Sequence, residues 1–263
     1  MTEDARFPAE RLTVATLRER PDLRGQTFSS AFEAAVPEFM RHDPVAALYY
    51  ADRALDRYLD FVLAATDREA PDRVIARATS VPVAYRDGTP GRVRLPPAGW
   101  DELIRWADAD WRAKRRPTVV GALEIIVLPP YRGRGVSQLM LDALVVNTWN
   151  RGFGDLYAPV RPSHKHHEPA TPFAEYIARH RPDGLPVDPW LRAHVRAGGR
   201  ILNIASCSMV IAGTLEEWSA WTGQRFDTSG AADVAGALSP IQVSREQDHA
   251  VYVEPNIWVH HRV

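Results

Sequence analysis

Cysteine is almost missing from this chain. The single Cys207 among 263 residues excludes an intrachain disulfide, and its apolar neighbours make it a small core residue rather than a nucleophile. No apolar run reaches the roughly 18 residues that a membrane-spanning helix needs, so no such span is expected. Neither sign of charge is in excess: 32 Lys and Arg stand against 33 Asp and Glu. A net charge of −1 leaves no global field for nucleic acid or an anionic membrane. Internal repeats, low-complexity tracts and clear linkers are missing too, which predicts one domain over 1–263. Residues 1–6 are charged and carry no apolar leader core, so the expected location is the cytoplasm. What is present is an ordinary globular composition, 45% hydrophobic and 25% charged, long enough for a sizeable core. Abundant Ala, Arg, Asp and Pro suggest a high-GC bacterial source.

The chain is organised around 119–137. Val119, Val120, Ala122, Leu123, Ile125, Ile126 and Val127 form a β-branched apolar run that predicts a buried strand. Pro129 and Pro130 cannot donate to a ladder and end it. Val136, Leu139, Met140, Ala143 and Leu144 then recur at helical spacing, and Gly152 and Gly154 close that helix. Between strand and helix lies Arg132-Gly133-Arg134-Gly135. The first N–H groups of a helix lack internal partners and carry partial positive charge. Gly133 and Gly135 admit close approach and positive φ, and the arginines add full charge. The stretch is a candidate site for a pyrophosphate; the plain alternative is a glycine turn with two solvated arginines.

A P-loop is excluded, because no Gly-Lys-Ser/Thr ends the turn. The dinucleotide pattern G-x-G-x-x-G lacks its third glycine. The pattern that fits is Arg/Gln-x-x-Gly-x-Gly/Ala preceded by Val-x-Pro. With Val127, Pro129 and Tyr131 in register, and Ser137 in place of the last glycine or alanine, the stretch resembles the acyl-CoA-binding signature of the GNAT superfamily of N-acyltransferases. The resemblance implies a mixed α/β (α+β) GNAT fold, with a central sheet of about seven strands flanked by helices. It implies acetyl-CoA or another acyl-CoA as co-substrate, held by Ile126, Val127, Arg132, Gly133, Arg134, Gly135, Val136 and Ser137. Ser163 stands where many such proteins carry an Asn that contacts CoA. The acceptor would be a small-molecule amine acylated by direct transfer, without metal, nucleic acid or membrane, in a chain compatible with a homodimer. The segment 157–221, with Asp188-Pro189-Trp190-Leu191, resembles a subset of such domains found fused to nitrilase-like hydrolases; no nitrilase domain is present here.

Elsewhere, 12–17 predicts a first strand, and 27–40 and 45–66 predict two helices, the second capped by Asp43 ahead of Pro44. Phe28, Phe32, Tyr49 and Tyr50 on them are core aromatics that could border an acceptor pocket. A strand is predicted over 74–85, with Val74, Ala76 and Ala78 alternating against Arg77 and Thr79. A hairpin signal follows at Asp87-Gly88 and a returning strand at 92–95. Trp100, Leu103, Ile104, Ala107 and Trp111 mark an amphipathic helix inserted before the fourth strand, with Lys114-Arg115-Arg116 as its basic last turn. Downstream come a strand over 156–160, helices over 171–180 and 189–197, and a strand over 200–211. Thr214 with Glu217 has capping-box chemistry. The stretch 225–249 reads as loop, and 250–263 as a last strand interrupted at Pro255. The histidine tract at 164–167 reads as a solvated loop rather than a metal site.

Acyl transfer to an amine needs a base, a stabilised oxyanion and a neutralised thiolate. The resemblance puts the oxyanion donor on a backbone N–H at a bulge in the fourth strand, near Ile126 or Val127. Glu124, a carboxylate inside an apolar strand, is the leading base, with a solvent-facing or arginine-paired role as its alternative. Glu254 is the second choice. Tyr176 is a candidate acid, and Trp190, His194, Tyr252 and Trp258 are candidates for the acceptor side. O-acyl transfer, other acyl-thioester chemistry and non-catalytic CoA binding remain alternatives on the same fold.

Overall fold

The computed structural model describes residues 6–85 and 95–263, so the hairpin signal at Asp87-Gly88 lies outside it. Leu95, the last residue of the expected returning strand, is buried but not in a strand. Among the described residues nine strands form one sheet: β1 (Leu12–Thr16), β2 (Val62–Asp67), β3 (Ala70–Val83), β4 (Val119–Val127), β5 (Asp155–Val160), β6 (Arg200–Gly213), β7 (Gly230–Ala232), β8 (Ile241–Ser244) and β9 (His249–Arg262). Their order is β1-β2-β3-β4-β5-β9-β8-β7, with β6 also pairing with β9. All pairs are antiparallel except β4 with β5.

The helices are α1 (Arg24–Thr27), α2 (Ser30–Glu33), α3 (Ala47–Tyr50), α4 (Asp52–Leu55), α5 (Gly99–Arg112), α6 (Val136–Asn150), α7 (Phe173–Ile177), α8 (Pro189–Arg196) and α9 (Leu215–Thr222). The two long early helices expected from the sequence are thus single turns, and Val62 to Asp67 is a strand. Ala51 sits in extended geometry between α3 and α4 and breaks the helical run. All six residues of β2 are buried, and a strand covered on both faces has no alternation to distinguish it from a buried helix. β7 and β8 fall in the stretch expected to be loop, because three or four residues are too few for a period to register. Pro255 does not interrupt β9. Three residues of β6, 206–208, bulge opposite it between the Ala205–Asn256 and Met209–Glu254 pairs.

Successive residues of β4 feed two cores on opposite sheet faces. Val119, Leu123 and Ile126 join Phe32, Tyr49, Trp100 and Trp218 on one face. Val120, Ala122 and Val127 join Val136, Met140 and Leu191 of α6 and α8 on the other. The inserted α5 packs on the first face through Trp100, Leu103, Ile104 and Ala107. It stops at Arg112 because Lys114 takes positive φ, and Arg115 folds back onto Asp110 at 2.9 Å. The capping box of α9 is formed as the sequence predicts: the Thr214 hydroxyl accepts from the Glu217 N–H, and the Glu217 carboxylate accepts from the Thr214 N–H.

Asp43 and Asp101 meet in the interior where the turns before α3 dock on α5, and both are almost fully buried. Asp43 Oδ2 and Asp101 Oδ1 are buried without a hydrogen-bond partner, and a proton shared between the two carboxyls would satisfy both. Burial, then the Asp43 charge, push Asp101 up to about 8. Such a group binds its proton in the folded state across pH values where the unfolded chain has released it. Its contribution is complete below the ordinary carboxylate range and is lost as pH rises toward about 8. Denaturant unfolding of the wild type should therefore show stability falling across that window. Asp101→Asn should flatten the decline; an unchanged pH profile would contradict the shared proton.

Candidate active site

The site begins where β4 and β5 part. They pair only at Val120–Leu156 and Gly121–Tyr157, although β4 runs on to Val127 and β5 to Val160. Two local causes are visible. The register with β3 slips between Thr79–Glu124 and Ser80–Ala122, so Leu123 is an extra residue that bends β4. On β5, the Val263 N–H donates to the Gly154 carbonyl. The alternation of an antiparallel ladder then turns Pro159 away from β9 and toward β4, where its missing N–H cannot make a rung. The bulge thus lies at Leu123 and not at Ile126 or Val127. Its carbonyl accepts from the Trp100 indole at 3.1 Å, so the inserted helix holds the bend.

The bulge has a second effect. Leu123 and Glu124 are consecutive, yet both lie on the α5 face, while Ile125 returns to the α6 face. Backbone orientation follows from the Leu128 N–H, which donates to the Ile75 carbonyl at 3.0 Å. By alternation Ile126 also turns its backbone to β3, and Val127 and Ile125 turn theirs to the gap. Ile126 therefore lines the cavity without offering a free amide, a correction to its expected binding role. Val127 keeps its N–H toward the gap, while its carbonyl accepts from Arg132 Nε at 2.9 Å.

A cavity of about 1390 Å³ runs through the gap from one sheet face to the other. On the α6 face it is lined by Arg132, Gly133, Val136 and Ser137. Gly133 and Gly135 have φ of 71° and 83°, and an added Cβ would meet nothing within 4 Å at Gly133 and only the Arg6 side chain, at 3.8 Å, at Gly135. Among the described residues no acceptor engages the amides of Gly133, Arg134, Gly135, Val136 and Ser137, whereas Gln138 and Leu139 donate to the Gly135 carbonyl. Of these five residues, Gly133, Val136 and Ser137 border the cavity and Arg134 and Gly135 do not; bare amides facing open space at a helix start fit a diphosphate. Neither arginine projects freely: Arg132 braces β4, and the Arg134 guanidinium lies over the Phe7 ring at 5.4 Å. Ser163, beyond β5, also borders the cavity. Lys114, Arg115 and Arg116 do not.

On the α5 face, Glu124 lies 2.8 Å from Arg77 Nε, with their side chains 20% and 7% exposed. The Nε–H is not aimed at the carboxylate, so the contact is an ion pair that leaves Arg77 Nε and Glu124 Oε1 without hydrogen-bond partners. The hydroxyls of Tyr50 and Thr79 beside them are likewise buried and unpartnered. Burial, then the Glu124 charge, push the Tyr50 hydroxyl well above its ordinary value. Arg77 donates through Nη1 to the Thr27 carbonyl at 2.9 Å and lies against Phe28, Phe32 and Tyr50. The sequence shows Arg77 only as the polar half of an alternating strand; that this half faces a cavity instead of solvent is set by α1 and α2 folding over it.

Glu254 also lines the cavity, but its carboxylate is closed off. It accepts from Arg161 Nε at 2.9 Å, the Tyr252 hydroxyl at 2.8 Å and the Asn256 amide at 3.1 Å. Tyr176 is away from the cavity and donates to Asp188 at 2.9 Å. Asp188 also caps α8 through the Trp190 and Leu191 amides and accepts from the His164 N–H, a hub role that the Asp188-Pro189-Trp190-Leu191 resemblance does not specify. Thr171 does not cap α7; its hydroxyl bonds to Glu168. Trp190 and His194 reach the cavity, with His194 Nδ1 2.9 Å from His261 Nε2. Tyr252 and Trp258 are core. In the histidine tract, Lys165 is buried and donates to the Glu168, Pro169 and Leu238 carbonyls.

A carboxylate introduced at the start of α6 would occupy the amides from within the chain. Ser137→Glu should leave the fold intact or slightly stabilised, by about 0.3–1 kcal/mol. It should weaken CoA binding at least tenfold by calorimetry. Unchanged affinity would remove the amides from the phosphate role.

No protein-family model matches the chain. It is 28% identical over 277 residues to the arginine N-acetyltransferase avaD of Aspergillus versicolor, covering 95% of this chain and 94% of that protein. That relative is fungal, which lends nothing to the bacterial source suggested by composition. Among solved structures, the loading GNATL domain of CurA from Lyngbya majuscula aligns over 95% of this chain and 97% of its own, with a TM-score of 0.57 and 13% identity. Neither likeness bears on the nitrilase-fused subset. Bare amides, parted strands and these likenesses agree: the chain has the GNAT-like acetyltransferase fold.

Proposed function

We propose that 1–263 works as a single acyl-CoA-dependent N-acyltransferase domain in the cytoplasm. It transfers an acetyl or other acyl group directly to an amine of a small-molecule acceptor. One observation carries the reading: a single cavity joins the bare amides of Gly133, Val136 and Ser137 on one sheet face to Glu124 on the other, through the gap between β4 and β5. Gly133 to Ser137 would hold the diphosphate, and the gap-facing edges of Ile125 and Val127 would pair with the extended arm of the carrier.

The thioester carbonyl would then lie where the Val127 N–H faces the gap, a donor for the oxyanion. The amine nitrogen bonds to the acyl carbon, and the carbon–sulfur bond breaks. The amine proton passes to Glu124 directly or through water, and the thiolate takes up a proton from solvent. The likeness to an arginine N-acetyltransferase supports a basic amino acid or related amine as acceptor.

Mass spectrometry of ligand carried through purification should find a CoA ester, and free thiol should appear when an amine panel is added. A retained ester without thiol release on any amine would favour a non-catalytic CoA-binding protein. Glu124→Gln should lower kcat by about 100-fold near neutral pH with little change in acyl-CoA affinity. An unaltered pH–rate profile would remove Glu124 as the base.

A further inference from the structure

Several charged side chains line the cavity, and most are already engaged. Arg24 contacts Asp52 and Asp56, and Arg41 contacts Glu33 and Glu38. Arg161 and Glu254 close on each other, with Tyr252, Asn256 and the Gly236 carbonyl completing their hydrogen bonds. Arg77 and Glu124 differ. They are close enough to pair, but Arg77 Nε and Glu124 Oε1 have no hydrogen-bond partner, and the buried hydroxyls of Tyr50 and Thr79 share that condition. Among the described residues no acceptor engages Arg77 Nη2 either. Unfilled polar atoms of both signs, side by side in a buried site, require a ligand that brings both signs in return.

We infer that the acceptor is a zwitterionic α-amino acid whose carboxylate is held by Arg77 and whose α-amine is presented to Glu124. The inference rests on the acyltransferase reading and narrows it to a substrate class. A planar guanidinium suits a carboxylate because its parallel N–H groups match two oxygens. Phe28, Phe32 and Tyr50 fix the plane of Arg77, and the Thr27 carbonyl fixes its far edge. The site is also neutral as a whole. A plain amine would bring an ammonium to Glu124 and leave it against the Arg77 cation; a plain carboxylate would meet the Glu124 anion. A zwitterion places each charge against its opposite, and its amine then stands on the base that Leu123's bulge has turned to this face. Arg77 is a binding residue on this account, and the acylated atom is the α-nitrogen.

The test compares matched amines that differ by one carboxylate: L-arginine with agmatine, L-lysine with cadaverine, and L-phenylalanine with phenethylamine. Initial rates of thiol release are measured at saturating acetyl-CoA, and fragmentation mass spectrometry locates the new amide. The amino acid should exceed its decarboxylated partner in kcat/KM by about 100-fold or more in each pair that turns over, with the acetyl group on the α-nitrogen. Arg77→Gln, shown by calorimetry still to bind acetyl-CoA, should raise KM for the amino acid and bring the ratio near one. Arg77→Lys should recover part of the preference. A wild-type enzyme that uses the decarboxylated amines equally well, or a loss in Arg77→Gln that is equal for both members of a pair, would overturn the inference. Lack of thiol release with every amine would instead overturn the acyltransferase reading itself, and this inference with it.

Discussion

Paired strands satisfy each other's backbone groups rung by rung, and β4 and β5 stop doing so after Gly121 and Tyr157. The edges beyond that point are in the middle of a sheet, where unpaired N–H and C=O groups are costly unless something else engages them. One device holds β4 away, an extra residue at Leu123 pinned by the Trp100 indole. Another keeps β5 from closing the gap, a proline whose missing N–H lies on the inner edge. A gap with that much unpaired backbone is a binding slot for an extended, hydrogen-bonding molecule. In the proposed reading, the bare amides at the start of α6 anchor it.

The same bulge couples binding to chemistry. It sets Leu123 and Glu124 on one face in succession, so the carboxylate lies on the α5 face beside Arg77 instead of in the α6 core. The surrounding polar groups show how the fold tolerates buried charge. Lys165, Asp188 and Glu254 are buried and each makes three or more hydrogen bonds. Arg77 and Glu124 are the contrast, an ion pair with capacity left over. Four buried polar atoms without a hydrogen-bond partner, on Tyr50, Arg77, Thr79 and Glu124, lie together beside the gap, where a ligand would complete them.

How far the sequence could be read depended on which physical signal each element carried. The strand, glycine turn and helix over 119–150 were legible because proline, glycine and periodicity all mark boundaries there. The α5 insertion and the capping box at Thr214 were equally plain. β2 was misread because a strand buried on both faces has no alternation. The Leu123 bulge was placed too late because a bulge is a relation between two strands, and only β3 reveals it. The roles of Arg77 and Asp188 are hidden for a similar reason: their partners, Glu124 and Thr27 for one, Tyr176 and His164 for the other, are distant in sequence or belong to loops without pattern. Tyr176 was suggested as an acid on segment alone, and its bond to Asp188 gives it a structural role.

The central claim is that a diphosphate-bearing thioester carrier occupies the gap and rests on the amides that begin α6. Backbone hydrogen exchange with and without CoA addresses this directly, since it reads the N–H groups in question. The account predicts that CoA slows exchange at 133–137 and at the gap-facing amides of Ile125 and Val127, while Ile126, already bonded to β3, changes little. Protection confined to another surface, or exchange at 133–137 that is slow before CoA is added and unaltered after, would contradict it.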